Sequence, residues 1–114
     1  MWTVVQTDEF GAWFSRIDAA AQEDVFAAVR ILSDIGPSLG RPFVDSLKGS
    51  RHANMKELRV QSKGRPFRIA FAFDRTRQAV LLVGGNKQGQ KRFYQDLIRT
   101  ADDLFENYLR SHDL

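Results

Sequence analysis

"ELRVQSKGRPFRIAFAF" (residues 57–73) is the stretch that decides the fold. Apolar and β-branched residues on either side of Ser62-Lys63-Gly64-Arg65 read as two strands joined by a tight turn. Strand side chains alternate between faces, so Leu58 and Val60 point one way while Glu57, Arg59 and Gln61 point the other. In the next strand Phe67, Ile69, Phe71 and Phe73 take the core side, which leaves Arg68, Ala70 and Ala72 opposite. Two alanines fill little space beside a charged row. That second face is therefore expected to receive something else, in part the last helix and in the remainder a phosphate chain. The competing reading is ionic, with Arg59 and Arg68 paired to Glu57 or to acids of the terminal helix.

Working outward, "MWTVVQ" predicts an opening strand, after which Thr7 or Asp8 caps a helix carrying Phe10, Trp13, Phe14 and Ile17 on one stripe. Asp18 caps a second helix with its apolar face at Ala21, Val25, Ala28, Val29 and Leu32, ended by Gly36-Pro37. The helical hairpin should cover one face of the sheet. Residues 37–54 contain prolines and glycines without a period and read as a long irregular surface connection. "MKELRVQ" (55–61), "PFRIAFAFD" (66–74) and "QAVLLVG" (78–84) form an antiparallel meander by their turn spacing. The final helix, within 92–114, aligns Phe93, Leu97, Ala101, Leu104, Phe105 and Tyr108. The class is α+β: an N-terminal strand and helical hairpin, a meander sheet and a C-terminal helix, within one domain spanning 1–114.

At 43% apolar and 27% charged residues, the 114-residue chain has the composition of a folded domain. The absence of cysteine excludes disulfides, thiolate chemistry and the usual structural zinc sites. Neither a basic leader nor a long apolar run is present, which predicts a soluble, cytoplasmic protein with no membrane partner. The net charge of +3 hides an asymmetry: residues 41–92 hold 13 Lys/Arg against Asp45, Glu57 and Asp74, a local +10, while the flanks carry −7. A basic middle suits a polyphosphate partner, with the acidic flanks solvated or turned away.

The glycine-rich "VGGNKQGQKRFY" (83–94) brings Lys87, Lys91, Arg92 and Tyr94 to the edge of the same sheet. It is no P-loop, because Gly89 is followed by Gln90 and Lys91 where Lys and Ser or Thr are needed. No His, Asp and Glu cluster has metal-ligand spacing and no Ser/His/Asp set is placed by its context, so neither metal nor other cofactor is expected.

"LKGSRHANMKELRV", "GRPFRIAFAFD", "AVLLVGGNKQGQKRFY" and "DLIRTADDLFENYL" together resemble the RelE/ParE superfamily of bacterial type II toxins, in particular its HigB-like members. The motifs cover roughly residues 37–110, and the order of elements extends the likeness along the chain. The resemblance implies an mRNA endonuclease acting on translating ribosomes and held inactive by a cognate helix-turn-helix antitoxin. Carried over residue by residue, Arg59 matches the arginine of the family's "LR" strand and Arg68 the arginine before the next apolar run. Lys87 and Tyr94 match a basic and an aromatic position near the final helix more loosely. Some relatives place two lysines on alternating positions before "LR", where this chain has Met55 and Glu57 with Lys56 between them.

RNA brings its own nucleophile, the 2′-hydroxyl, so an enzyme need only orient it, accept its proton, neutralise the phosphorane and protonate the leaving 5′-oxygen. Arginines suit charge stabilisation because their planar donors hold phosphate oxygens bidentately, with Arg68 first and Arg59 second. The base is open among Glu57, Tyr94 and a lysine crowded by cations, which lower the pKa of either of the last two. His52 lies in the long loop as a solvated side chain, and His112 in a frayed tail. The candidate catalytic set is Arg68, Arg59, Lys87, Tyr94 and Glu57; Lys48, Arg51, Lys56, Lys63, Arg65, Lys91 and Arg92 are candidate RNA contacts. Turnover on free RNA is expected to be poor. A gyrase poison like the ParE branch would keep the fold and make Arg68 dispensable; a non-catalytic nucleic-acid-binding regulatory module would bind RNA with strong salt dependence and no cleavage.

Overall fold

The computed structural model describes residues 1–114. Its strands are β1 (Thr3–Gln6), β2 (Val44–Ser46), β3 (Lys56–Ser62), β4 (Arg65–Phe73) and β5 (Gln78–Asn86); its helices are α1 (Asp8–Arg16), α2 (Ala19–Ile35) and α3 (Phe93–Ser111). The sheet order is β1-β5-β4-β3-β2, with β1 parallel to β5 and the other pairs antiparallel. The expected meander is β3-β4-β5. The stretch read as an irregular connection instead contains a single 3-10 turn, Gly36–Ser38, and the edge strand β2. β2 is three residues long and sits among Gly, Pro and Ser, too short for its alternation to register as a pattern.

Caps set the helix starts. The Thr7 hydroxyl accepts the amide of Phe10 at 3.0 Å, and the Asp18 carboxylate accepts that of Ala21 at 2.9 Å. At Gly36 the backbone turns left-handed (φ 72°), and a Cβ there would lie 2.3 Å from Nε1 of Trp2, so both conformation and contact require glycine.

Each face of the sheet carries its own core. On one, α1 and α2 pack Phe10, Trp13, Val25 and Leu32 against Leu58, Val60, Phe67, Ile69 and Phe71. On the other, α3 packs Phe93, Leu97, Ala101 and Phe105 against Met55, Ala70, Ala72, Val80 and Leu82. The face expected to stay partly open over Ala70 and Ala72 is therefore closed there: both alanines are fully buried. Their small side chains provide the depth that lets a helix lie close, and the end of the face stays partly open only around Arg59, while Glu57 and Arg68 are buried under the start of α3. A register shift between Ala70 and Phe71 places Leu82 outside the β4–β5 pairing, a bulge that increases the local twist.

The glycines of β5 serve the two layers separately. A Cβ on Gly84 would come within 2.5 Å of the Trp13 ring, and one on Gly85 within 2.9 Å of Phe93. Gly85 pairs with Arg68 across the β4–β5 ladder, so the start of α3 can close down beside that arginine. No helix is long and apolar enough to cross a membrane.

Candidate active site

β3 presents Glu57 and Arg59 two residues apart on one face, and β4 sets Arg68 directly opposite Arg59. Two like charges in that position repel one another. The repulsion is relieved by Glu57, a carboxylate only 3% exposed. Its Oε2 accepts from Arg59 Nε at 3.2 Å and Nη2 at 3.1 Å, and its Oε1 accepts the Tyr94 hydroxyl at 2.7 Å. Arg68 Nε lies 3.6 Å from Oε1, an ionic contact beyond hydrogen-bond range. The Arg68 guanidinium donates from Nη1 to the Phe67 carbonyl at 3.0 Å, while its Nε is buried without a hydrogen-bond partner. Lys87 completes the group, with Nζ 5.6 Å from the centre of the Tyr94 ring. The five candidate catalytic side chains thus meet at one place, where β3, β4, the end of β5 and the first turn of α3 converge.

The ionic reading of the arginines holds as well, since both sit against Glu57. Asp45 of β2 adds a second carboxylate 3.3 Å from Arg59 Nη2; nothing in the irregular-looking 37–54 stretch singled it out. The hydrogen bonds it donates to Glu57 raise the Arg59 pKa further above its ordinary range, which keeps this guanidinium charged. Burial first, and then the hydrogen bond to Glu57, raise the Tyr94 phenol above its ordinary value, with Arg68 pulling the other way. The lowering expected from neighbouring cations is outweighed, so Tyr94 is a neutral hydrogen-bond donor at physiological pH.

The candidate RNA contacts scatter. Arg51 binds α3, its guanidinium 2.9 Å from both Asp103 and Glu106, and Arg65 makes a two-pronged pair with Asp18 at 2.9 and 3.1 Å. The acidic flanks, expected to stay solvated or turn away, thus fold back onto part of the basic middle. Lys56 leaves β3 on the face opposite Glu57, by strand alternation. Lys63 sits in the β3–β4 turn beside Asp18. Lys48 is exposed beside the first turns of α3, and Lys91 and Arg92 are exposed just before that helix. His52 is half-buried rather than free in solvent: its ring meets Phe105 edge-on at 5.0 Å, and Nε2 lies 3.2 Å from Glu106. His112 stacks on Tyr108 at 4.1 Å instead of fraying. No group of three or more His, Cys, Asp and Glu side chains is placed to hold a metal ion.

The family described as "Phage derived protein Gp49-like (DUF891)" matches residues 12–106. A "Putative toxin HigB3" of Mycobacterium tuberculosis is 44% identical over 109 residues, covering 95% of this chain and 94% of the relative. A "Putative toxin HigB2" of the same organism is 46% identical over 110 residues, covering 95% of this chain. The chain spans about half, 54%, of that second relative's length. Among solved structures, the isolated E. coli RelE toxin superposes with a TM-score of 0.61 over 87% of this chain and 98% of its own, at 7% identity, a likeness of fold alone. The chain therefore belongs to the Gp49-like family, with HigB-type putative toxins as its relatives.

Proposed function

We propose that the protein is the toxin of a type II toxin–antitoxin pair, a ribosome-dependent mRNA endonuclease acting in the cytoplasm and held inactive by a cognate helix-turn-helix antitoxin. The observation that carries this reading is the buried Glu57 carboxylate holding Arg59, Arg68 and Tyr94 in one cluster beside Lys87. Stability alone gives little reason to keep such a cluster, since well-packed apolar residues often serve as well. This one instead lines up a charged fork, a phenol and a carboxylate as a proton-transfer chain needs them.

In the proposed step the 2′-oxygen attacks the adjacent phosphorus, the P–O5′ bond breaks, and the products are a 2′,3′-cyclic phosphate and a 5′-hydroxyl. Tyr94 accepts the 2′-hydroxyl proton while passing its own to Glu57 across the 2.7 Å hydrogen bond. This relay uses the phenol in its neutral form, so the raised pKa of Tyr94 is no obstacle. Arg59, with its side chain 34% exposed, is the guanidinium a phosphate reaches first; Arg68, almost wholly buried, adds charge from behind. In this proposal Arg59 takes the first role and Arg68 the second. The Lys87 ammonium supplies the proton that the departing 5′-oxygen requires.

The test is a purified translation system programmed with a reporter mRNA, with RNA 5′ ends mapped in the presence and absence of ribosomes. Arg59→Ala should slow cutting by about 10²–10³, the cost of one charge-stabilising donor. Tyr94→Phe should cost about 10²–10⁴, the worth of a positioned proton-transfer group. Intact mRNA with the wild-type protein on ribosomes would overturn the proposal, and a gyrase supercoiling assay would then decide for the ParE-like alternative.

A further inference from the structure

A cleft of about 420 Å³ runs along the first turns of α3, bounded on its other side by the loop at residues 48–51, and Tyr94 is part of its wall. The loop is held with unusual firmness. Leu47 is buried among the side chains of α3. Asp102, 2% exposed, accepts the Ser50 hydroxyl on Oδ1 and the Arg51 amide on Oδ2, the latter at 2.9 Å. The Arg51 guanidinium reaches Asp103 and Glu106, and the His52 amide donates to the Ser50 hydroxyl at 2.9 Å. Burying a carboxylate is costly unless its oxygens are satisfied. Here they are satisfied by the loop that forms the cleft wall opposite Tyr94.

The clamp fixes what the loop displays. Gly49 turns through φ 97°, and no atom lies within 4 Å of where its Cβ would be, so the backbone stands open over the cleft. Lys48 makes no ion pair. Across from it, Arg99 has only Asp96 as partner in a pair whose arginine is 67% exposed, an arrangement that yields readily to a stronger anion. Ile98 gives the cleft an apolar patch and Gln95 an amide. One turn of α3 separates Tyr94 from Ile98, about 6 Å at 1.5 Å per residue, which is the order of one nucleotide step.

We propose that this cleft is a nucleotide subsite for single-stranded RNA: it seats the nucleotide adjoining the cut, with the phosphate between Lys48 and Arg99 and the base against Ile98 beside the Gln95 amide. The assignment rests on the endonuclease reading for its meaning, while the binding itself can be measured apart from cutting. Cations that track the backbone, with an apolar or aromatic surface under the base, are the usual elements of single-strand recognition. Asp102 is the positioning residue, because it touches the loop and not the RNA.

The probe is a four-nucleotide RNA with 2′-O-methyl riboses, which cannot be cut, titrated into the whole chain and followed by amide NMR shifts. Shifts are expected at Lys48–Arg51 and Gln95–Arg99. Lys48→Ala and Arg99→Ala should each weaken binding several-fold and lower the slope of log K against log salt by about 0.7, the value for one single-strand phosphate contact. Arg30→Ala, on α2, should change neither. Cut positions on ribosome-bound mRNA should redistribute in Lys48→Ala. Shifts confined to other surfaces, or unchanged affinity in both cleft variants, would overturn the subsite. If mRNA stays intact with the wild-type protein while the probe still shifts the cleft, the endonuclease reading fails and the RNA site stands. If mRNA is cut at unchanged positions by both cleft variants with unchanged probe affinity, the subsite fails and the endonuclease reading stands.

Discussion

Replacing Glu57 tests the centre of the site. Arg68 is 8% exposed and has no hydrogen bond from its buried Nε, so Glu57 is the carboxylate that offsets its charge. Removing one partner of a buried pair costs about 3–5 kcal/mol. The low end applies to Glu57→Ala, roughly 3 kcal/mol, because Arg59 keeps Asp45 and Arg68 keeps the Phe67 carbonyl. Against a domain stability of about 5–15 kcal/mol, that loss is easily seen in urea unfolding. Glu57→Gln retains an acceptor oxygen and should cost less than Glu57→Ala, while the Tyr94 phenol loses the carboxylate that helps to raise it and keeps Arg68, which lowers it. Ultraviolet titration is clean because the chain has two tyrosines, the other being Tyr108, pushed up to about 12. The transition that Tyr94→Phe removes should move down in Glu57→Gln. The joint replacement Glu57→Leu/Arg68→Met should recover most of the stability and none of the cutting. A loss below about 1 kcal/mol in Glu57→Ala, the level of a surface pair, would refute Glu57 as the buried counter-charge.

Gly84→Ala drives a methyl to within 2.5 Å of the Trp13 ring and should cost about 1–3 kcal/mol, the range for overpacking, read by denaturant unfolding and a changed tryptophan emission. Asp102→Ala strands the Ser50 hydroxyl and the Arg51 amide; it should lose roughly 1–3 kcal/mol and speed amide exchange across residues 48–52, with β1 unaffected. Burial and the Asp74 hydrogen bond push Tyr108 up to about 12, whereas the unfolded phenol titrates near 10. The folded state then keeps a proton that the unfolded chain has released, so stability should fall as pH rises from about 10 to 12. Tyr108→Phe should remove that share of the alkaline loss and leave the part due to Tyr94, as measured by urea midpoints at several pH values.

The sequence was most legible where a period or a cap repeats. Thr7 and Asp18 cap the helices as expected, and Phe67, Ile69 and Phe71 face the helical hairpin because strand alternation admits no other arrangement. The convergence of Glu57, Arg59 and Arg68 was readable from the same alternation plus a tight turn. What escaped depends on contacts between distant residues. β2 has no pattern at three residues, so Asp45 beside Arg59 was invisible. The charge segregation along the chain suggested acidic flanks turned outward, but Asp18 meets Arg65 and Asp103 meets Arg51 in space. The pKa of Tyr94 was misjudged because cations nearby were counted and the burial of the first turn of α3 against the sheet was not.

The pairing of Arg59 with Glu57 and Asp45 has a consequence for the proposed reaction. A phosphate that approaches this guanidinium must replace carboxylates already in contact with it, so its gain is the difference between two charge-assisted contacts and not the full worth of one. Affinity for RNA in free solution is accordingly expected to be low at this point. A carboxylate-saturated site of this kind becomes productive when something else holds the strand in place, since positioning can supply about 7–11 kcal/mol at its upper range. In the proposed reaction a ribosome presenting mRNA in a fixed path would provide that, and a cleft beside Tyr94 that grips the neighbouring nucleotide would set which phosphate arrives. Cutting of free RNA should therefore stay slow even at saturating protein, whereas adding ribosomes should raise the rate without tightening binding to the isolated strand. Equal rates on free and ribosome-bound mRNA would show that Arg59 captures phosphate unaided, in conflict with its two ion pairs.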